Sequence, residues 1–153
     1  MSRIGKRFGE LKAKSEKALV CFLTTGDPDI KRTKALALEL EQAGVDILEL
    51  GVPFSDPWAD GPTIQASSQR ALKQGVTMST ALELVASIRQ ESELPIVIMT
   101  YTNPAQAYGI ERFATEAGAA GVDGEIMTDM PPDEAGEWKV LADQNGIDTI
   151  FLL

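Results

Sequence analysis

The sequence contains no histidine, so the side chain that most often shuttles protons near neutral pH, and most often binds metals, is missing. Acid–base chemistry must therefore depend on carboxylates, lysine or tyrosine. The single cysteine, Cys21, cannot form an internal disulfide, and its apolar neighbours predict a small buried side chain in the reducing cytoplasm. No apolar run approaches the roughly 20 residues that cross a bilayer. No Gly-x-Gly-x-x-Gly or Walker-type motif indicates a nucleotide-binding fold.

The charge balance excludes another class of function. Fourteen Lys and Arg residues are outnumbered by 23 Asp and Glu residues, and a net charge of −9 repels the phosphate backbone of nucleic acids. The chain has 153 residues, 44% hydrophobic and 24% charged, which is the balance of one ordinary globular domain. Cationic residues gather near the start, but Glu10 and Glu16 interrupt them, which favours a solvated helix face over a targeting peptide.

Short apolar runs alternate with segments of helical periodicity. After an opening helix, the pattern predicts strands over residues 18–24, 47–51, 96–100, 124–128 and 149–153, and helices over 30–43, 62–74, 77–91, 109–119 and 132–145. Gly-Val-Asp or Gly-Ile-Asp occurs at 44–46, 121–123 and 146–148, where a glycine ends a helix and a strand follows. This alternation predicts parallel strands joined by helical crossovers, an α/β fold.

Two α/β architectures fit this pattern, an open doubly wound sheet and a (β/α)8 barrel. The absence of nucleotide-binding motifs favours the barrel. We predict a TIM barrel-type fold truncated to about its first four β/α units plus a fifth strand, with residues 1–153 forming a single partial domain. Because a complete barrel takes about 250 residues, the last strand is expected to present an unpaired edge.

Glu49 interrupts the otherwise apolar strand predicted over residues 47–51. Strand alternation places Ile47, Glu49 and Gly51 on one face and Leu48 and Leu50 on the other. If the first face points into a barrel, the carboxyl group lies near the catalytic end, and desolvation raises its pKa towards neutrality. We favour an acid–base catalyst, because buried charges usually have a purpose or a partner. The alternative is a glutamate beneath a helix edge that pairs with a lysine.

The proline-rich loop after this strand carries two further carboxylates, Asp56 and Asp60. Prolines stiffen the loop, and a stiff loop over a strand end can hold a carboxylate in place. Asp56 before Pro57 is typical of an Asx turn, which is the interpretation we favour for it. A Mg²⁺ site formed by Glu49 and these two aspartates is a less favoured alternative, because the spacing matches no familiar metal-binding loop. We therefore predict no metal.

One long segment carries a specific resemblance. Residues 48–65 read Leu-Glu-Leu-Gly-Val-Pro-Phe-Ser-Asp-Pro-Trp-Ala-Asp-Gly-Pro-Thr-Ile-Gln and resemble the signature of the tryptophan synthase alpha chain family. Segments 22–28, 99–104 and 123–132 resemble the first, third and fourth strand ends of that family, in the same order. The resemblance covers the whole chain. It implies a lyase of tryptophan biosynthesis that cleaves indole-3-glycerol phosphate into indole and glyceraldehyde 3-phosphate without a cofactor.

The same resemblance implies roles for individual residues. Glu49 is the implied acid–base catalyst, and Asp60 is implied to accept a hydrogen bond from the indole N–H. The implied lining of the indole pocket is Phe22, Thr100 and Tyr101. The family forms an alpha2beta2 assembly with a pyridoxal-phosphate beta chain, and the implied interface residues are Pro53, Asp56, Asn103, Pro104 and Asp129.

The resemblance is incomplete in one respect. The family holds the substrate phosphate with glycine-rich loops after later strands and closes a mobile loop over it, and this sequence has no counterpart of either. We therefore expect the chain alone to be inactive. Two alternatives stay open: another phosphate-handling barrel enzyme that uses two carboxylates, and a non-catalytic half-barrel that self-associates or binds a beta chain.

Overall fold

The computed structural model describes residues 2–152, which contain one parallel sheet of five strands. The strands lie side by side in chain order: β1 (Val20–Thr24), β2 (Ile47–Gly51), β3 (Ile96–Thr100), β4 (Gly124–Met127) and β5 (Asp148–Thr149). All four neighbouring pairs are parallel, which confirms the predicted α/β architecture. Cys21 is only half-buried, because β1 pairs with a strand on one side alone within the described part of the chain.

Helices precede and connect the strands. They are α1 (Arg3–Ala13), α2 (Ile30–Gln42), α3 (Pro62–Lys73), α4 (Met78–Arg89), α5 (Thr102–Tyr108), α6 (Ile110–Ala120) and α7 (Gly136–Gln144). Within residues 2–152, none of them has both the length and the apolar character that a membrane span requires.

Three elements differ from the sequence-based prediction. The prediction lacks α5, whose seven residues are too few to show a helical period. The helix predicted over 132–145 is wrong in its first turn, because Pro132–Glu134 form a separate 3₁₀ turn before α7. β5 has two residues instead of the five predicted over 149–153, of which Leu153 lies outside the described residues.

The main core lies between the sheet and its helices. Leu48, Leu50 and Ile98 point to this side and are fully buried among apolar side chains of α4, α6 and α7. The rings of Phe113 and Trp138, from α6 and α7, stack with their centroids 5.3 Å apart. Since each such buried side chain contributes about 1.5–3 kcal/mol, this layer supplies most of the apolar stabilisation.

A second, smaller core lies on the opposite face of the sheet. There Ile4 of α1 packs with Ile47, Val97 and Ile126 of the central strands. Glu49 shares this inner face and is one pleat closer to the carboxyl end of β2 than Ile47. The fold therefore places Glu49 next to this small apolar core, on its side towards the carboxyl ends of the strands.

Polar contacts at the amino ends of the strands fasten α1 to the sheet. The Asp46 carboxylate accepts hydrogen bonds from the Leu19 backbone N–H at 2.6 Å and from Arg7 Nη2 at 2.5 Å. These donors, the backbone N–H foremost, hold the pKa of Asp46 below its usual range. Arg3 donates in the same way to Asp123 at 3.1 Å. The predicted solvated face is therefore wrong for Arg3 and Arg7, which are half-buried and paired.

The three glycine–aspartate repeats have the predicted helix-ending geometry. Gly44, Gly121 and Gly146 have φ values of 96°, 90° and 73°, in the left-handed region that favours glycine. In each repeat the next residue is buried and the aspartate begins or precedes a strand. The repeat therefore sets the point at which each helix turns back into the sheet.

Glu125 of β4 is buried on the helix-facing side of the sheet, a placement not singled out from the sequence. It is 1% exposed, and neither carboxyl oxygen has a hydrogen-bond partner in the described part of the chain. Thr149, its register neighbour on β5, and the Trp138 indole N–H are likewise unpartnered there. Desolvation raises the pKa of Glu125 to about 8, although the nearby Trp138 N–H acts in the opposite direction.

Candidate active site

Glu49 occupies the centre of β2, with Phe22 of β1 and Val97 of β3 as its register neighbours. The strand alternates in the predicted sense: Leu48 and Leu50 belong to the main core, while the Glu49 side projects to the inner face. Glu49 is half-buried. Its carboxyl group is therefore partly shielded from water but still within reach of a ligand.

The Glu49 carboxyl group has lost part of its hydration without gaining a hydrogen-bond or ion-pair partner among residues 2–152. Desolvation by burial raises its pKa above the ordinary glutamate value, and no charged side chain in the described part of the chain contributes to the shift. The alternative interpretation, a glutamate neutralised by a lysine, therefore has no support in the described residues. A carboxyl group with a raised pKa keeps its proton over a wider pH range, which makes it a better proton donor than an ordinary glutamate.

Asp60 ends the loop that follows β2, and three hydrogen bonds hold this part of the loop. The Asp60 N–H donates to the Pro57 carbonyl at 3.0 Å, and the Gln65 amide donates to the Asp60 carbonyl at 2.8 Å. The Ala59 N–H donates to the Tyr101 hydroxyl at 3.0 Å. These bonds fix the backbone from which the Asp60 carboxylate projects.

A small cavity opens at the carboxyl ends of β1, β2 and β3. Its walls include Asp60 and the three residues predicted to bind substrate, Phe22, Thr100 and Tyr101. Its volume of about 10 Å³ holds one water molecule and excludes an indole ring. A larger ligand would therefore extend from this cavity along the open inner face of the sheet.

Seven wall residues of this cavity are absent from the sequence-based prediction of the site: Thr24, Gly51, Val52, Ile64, Ser68, Met99 and Thr128. Met99 is the register neighbour of Gly51, and it packs at the edge of the inner apolar cluster. Alternation along β3 was a signal that could have found it, because residues 97 and 99 share a face. Which face that is depends on the pairing with β2, and the sequence does not specify this pairing.

Gly51 allows the Phe22 ring to lie across β2. A Cβ atom at position 51 would come within 2.5 Å of Phe22 Cζ, closer than side chains tolerate. Phe22 also shares a register row with Glu49. The ring therefore borders both the carboxyl group and the cavity, and it provides an apolar surface for a flat ligand.

The geometry indicates what chemistry this region can perform. Gly51 on the cavity wall lies two residues beyond Glu49 on the same face, roughly 6–7 Å along the strand. One carboxyl group with a raised pKa thus lies below an aromatic wall, and a second sits on a fixed loop at the rim. Such a pair can transfer a proton and stabilise a developing positive charge. Within residues 2–152, no three potential metal ligands converge.

Three of the predicted interface residues line one groove. Pro53, Asn103 and Pro104 lie along it, between the loop after β2 and helix α5. Asp56 is exposed on the same loop, where its carboxylate accepts a hydrogen bond from the Ser55 hydroxyl at 2.5 Å. The predicted Asx turn is wrong, because the Trp58 N–H donates to the Asp56 backbone carbonyl and not to its side chain.

Asp129, the fifth predicted interface residue, has a local role. Its carboxylate accepts hydrogen bonds from the backbone N–H and the hydroxyl of Thr102, at 2.7 and 2.8 Å. Thr102 is the first residue of α5. Asp129 therefore fixes the start of this helix, since a carboxylate there satisfies an otherwise free helical N–H.

Comparison with known proteins identifies the family. The family model described as "Tryptophan synthase alpha chain" matches residues 8–153. The chain belongs to this family. The tryptophan synthase alpha chain of Geotalea uraniireducens is 57% identical over the whole of this chain. The crystal structure of the alpha subunit from Legionella pneumophila superposes with a TM-score of 0.98 at 40% identity, over 100% of this chain and 59% of that one. Tryptophan synthase from M. tuberculosis, in an aminoacrylate- and BRD0059-bound form, gives a TM-score of 0.94 at 39% identity and covers 99% of this chain and 61% of that one.

The solved structures of the alpha chain family also indicate to which larger fold the sheet belongs. Their structures are TIM barrels, so the five parallel strands correspond to part of such a barrel, in agreement with the predicted fold class. This chain spans 57% of the length of the Geotalea uraniireducens relative and 59% of the Legionella structure.

Proposed function

We propose that Glu49 and Asp60 carry the acid–base chemistry of the alpha reaction, the cleavage of indole-3-glycerol phosphate into indole and glyceraldehyde 3-phosphate. The supporting observation is the half-buried Glu49 carboxyl group, which has no partner among the described residues and lies one pleat from a cavity that Asp60 borders. Membership of the tryptophan synthase alpha chain family supplies the substrate and the reaction class.

The reaction is a reverse aldol cleavage that balances through two proton transfers. Protonated Glu49 gives its proton to indole C3, which places a positive charge on the ring nitrogen. Asp60 accepts a hydrogen bond from the indole N–H and stabilises that charge. The Glu49 carboxylate then removes the glycerol hydroxyl proton, the carbon–carbon bond breaks, and its electron pair restores the aromatic ring. The raised pKa of Glu49 increases the protonated fraction that the first step needs, and no cofactor is consumed.

The test uses a chimera in which residues 1–153 are continued by the remaining part of the Geotalea uraniireducens alpha chain, which is 57% identical to this chain. Glu49→Gln keeps the size of the side chain but cannot exchange a proton, so kcat should fall about 1000-fold or more with little change in KM. Asp60→Asn should cost less, because its amide oxygen still accepts a hydrogen bond.

The matched control is Glu83→Gln, at an exposed position of α4, which should leave turnover unchanged. Retention of more than about a tenth of wild-type kcat by the Glu49→Gln chimera, against the expected loss for a general acid, would dismiss the catalytic role. We expect residues 1–153 alone to be inactive, and turnover by that chain would contradict this part of the proposal.

We also propose that the groove between the loop after β2 and α5 receives a tryptophan synthase beta chain in an alpha2beta2 assembly. Pro53 and Pro104 give it rigid apolar walls, and Phe54 and Met78 extend them. Asn103 is exposed at its edge. An apolar centre with a polar rim is the usual composition of such interfaces. The location we infer is the cytoplasm, where the free Cys21 stays reduced.

A further inference from the structure

Tyr101 joins the end of β3 to the loop that carries Asp60. It directly follows β3, is 4% exposed, and its ring packs against Phe54 and Trp58 with centroid distances of 5.3 and 6.3 Å. Its hydroxyl accepts the hydrogen bond from the Ala59 N–H at 3.0 Å. Phe54, Trp58 and Ala59 all belong to the loop after β2, so Tyr101 holds that loop to the sheet at three points.

The hydroxyl group of Tyr101 contributes a hydrogen bond, whereas its ring contributes packing contacts. It uses a lone pair to accept from Ala59, which leaves its own proton to donate. Asp60 directly follows Ala59, so the hydrogen bond to the Tyr101 hydroxyl fixes the backbone from which the Asp60 side chain projects. The ring contacts with Phe54 and Trp58 would persist without the oxygen. Removal of the hydroxyl alone therefore separates orientation of Asp60 from packing of the loop.

We propose that Tyr101 is a positioning residue, whose hydroxyl holds the Ala59 N–H and thereby places the adjacent Asp60 carboxylate for the ring N–H of the substrate. This inference rests on the proposed function for its catalytic consequence. The Ala59–Tyr101 contact and the place of Asp60 beside it are properties of the chain itself. The two parts can therefore be tested separately.

The first experiment measures amide hydrogen exchange by NMR in the 153-residue chain. Tyr101→Phe removes the acceptor of the Ala59 N–H, so exchange at Ala59 should become about fivefold faster, as expected for one lost hydrogen bond. The control is Tyr108→Phe, which removes the other tyrosine hydroxyl, bonded to Glu116, and should leave Ala59 unchanged. Unchanged exchange at Ala59 in Tyr101→Phe would overturn the proposed anchoring, whatever the enzyme assay shows.

The second experiment measures turnover of indole-3-glycerol phosphate by the chimera. Tyr101→Phe should lower kcat about tenfold, the scale of a small misplacement of a catalytic group, and change KM less than about twofold. In an Asp60→Asn background the same substitution should add almost nothing, because its effect passes through Asp60. Additive losses would assign Tyr101 a structural role and overturn the positioning role. An inactive wild-type chimera would count against the proposed function, while the exchange result would still decide the anchoring of Ala59.

Discussion

Replacement of Glu125 by glutamine should remove a pH dependence from the stability of this protein. Glu125 lies in the main core with both carboxyl oxygens unpartnered in the described part of the chain, and desolvation raises its pKa from 4.5 to about 8. Four charged side chains of the neighbouring α6 and α7 form ion pairs at the surface, Arg112 with Glu116 and Lys139 with Asp143. None of them contributes to the shift, so the folded protein keeps Glu125 neutral by burial.

The sign and size follow from proton linkage. Between pH 4.5 and about 8 the folded state holds a proton on Glu125 that the unfolded state has released, so the free energy of unfolding falls as pH rises. The slope is about 1.4 kcal/mol per pH unit. Over this window of roughly 3.5 units the loss approaches about 5 kcal/mol. The contribution is fully present below pH 4.5 and is lost as pH rises through 8. It compares with a total stability of about 5–15 kcal/mol for a typical domain.

The assay is urea unfolding, followed by circular dichroism, at intervals from pH 5 to 8.5. Relative to Glu125→Gln, the free energy of unfolding of the wild type should fall by about 1.4 kcal/mol per pH unit up to pH 8. Above pH 8 the difference between the two proteins should stay constant. Subtracting one protein's free energy from the other's cancels the contribution of Glu49, which both proteins share. Glu137→Gln, at an exposed position of α7, should run parallel to wild type throughout. A constant gap between wild type and Glu125→Gln would refute the reasoning.

Two further predictions concern the site and the groove. Gly51→Ala should lower the free energy of unfolding by about 1–3 kcal/mol, because the new Cβ atom displaces the Phe22 ring. In a Phe22→Ala background most of this loss should disappear. If urea unfolding instead gives additive losses for the two substitutions, the predicted clash is wrong. Asn103→Ala in the chimera should weaken beta-chain binding about tenfold in calorimetry, whereas Lys31→Ala, exposed on α2, should not. Equal affinities for both variants would place the interface elsewhere.

The central strands could be predicted from the sequence because burial on both sides leaves a distinct apolar run. The bounds predicted for β2 and β3 agree with the structure at both ends. The elements that were missed depend on few residues or on tertiary context. Helix α5 has seven residues and starts at Thr102. The Thr102 N–H donates a hydrogen bond to the carboxylate of Asp129, which lies just after β4. No local pattern reports a cap that is 27 residues distant in the chain.

The candidate site also has features that the sequence predicts and features that it does not. The sequence predicts the face on which Glu49 lies, because the alternation of side chains along a strand can be read from one short segment. The sequence does not predict the neighbours of Glu49. Phe22 lies beside Glu49, and Met99 beside Gly51, only because separate strands pair in this register. Met99 was missed for this reason. The contact of Tyr101 with Ala59 also joins two loops that are distant in sequence, 42 residues apart.

Glu49 and Glu125 show why a raised pKa does not by itself identify a catalytic residue. Both are glutamates in central strands, and desolvation raises the pKa of both. Register separates them: Glu125 lies beside Ile98, which lies beside Leu50, and all three face the helices. Glu49 is on the opposite face, half-buried and near a cavity. Burial beneath helices makes the Glu125 carboxyl group a determinant of stability. Access from the opposite face is what the proposed function requires of Glu49, because a substrate must reach its proton. The face of the sheet that a glutamate occupies therefore separates the candidate catalytic residue from the buried one.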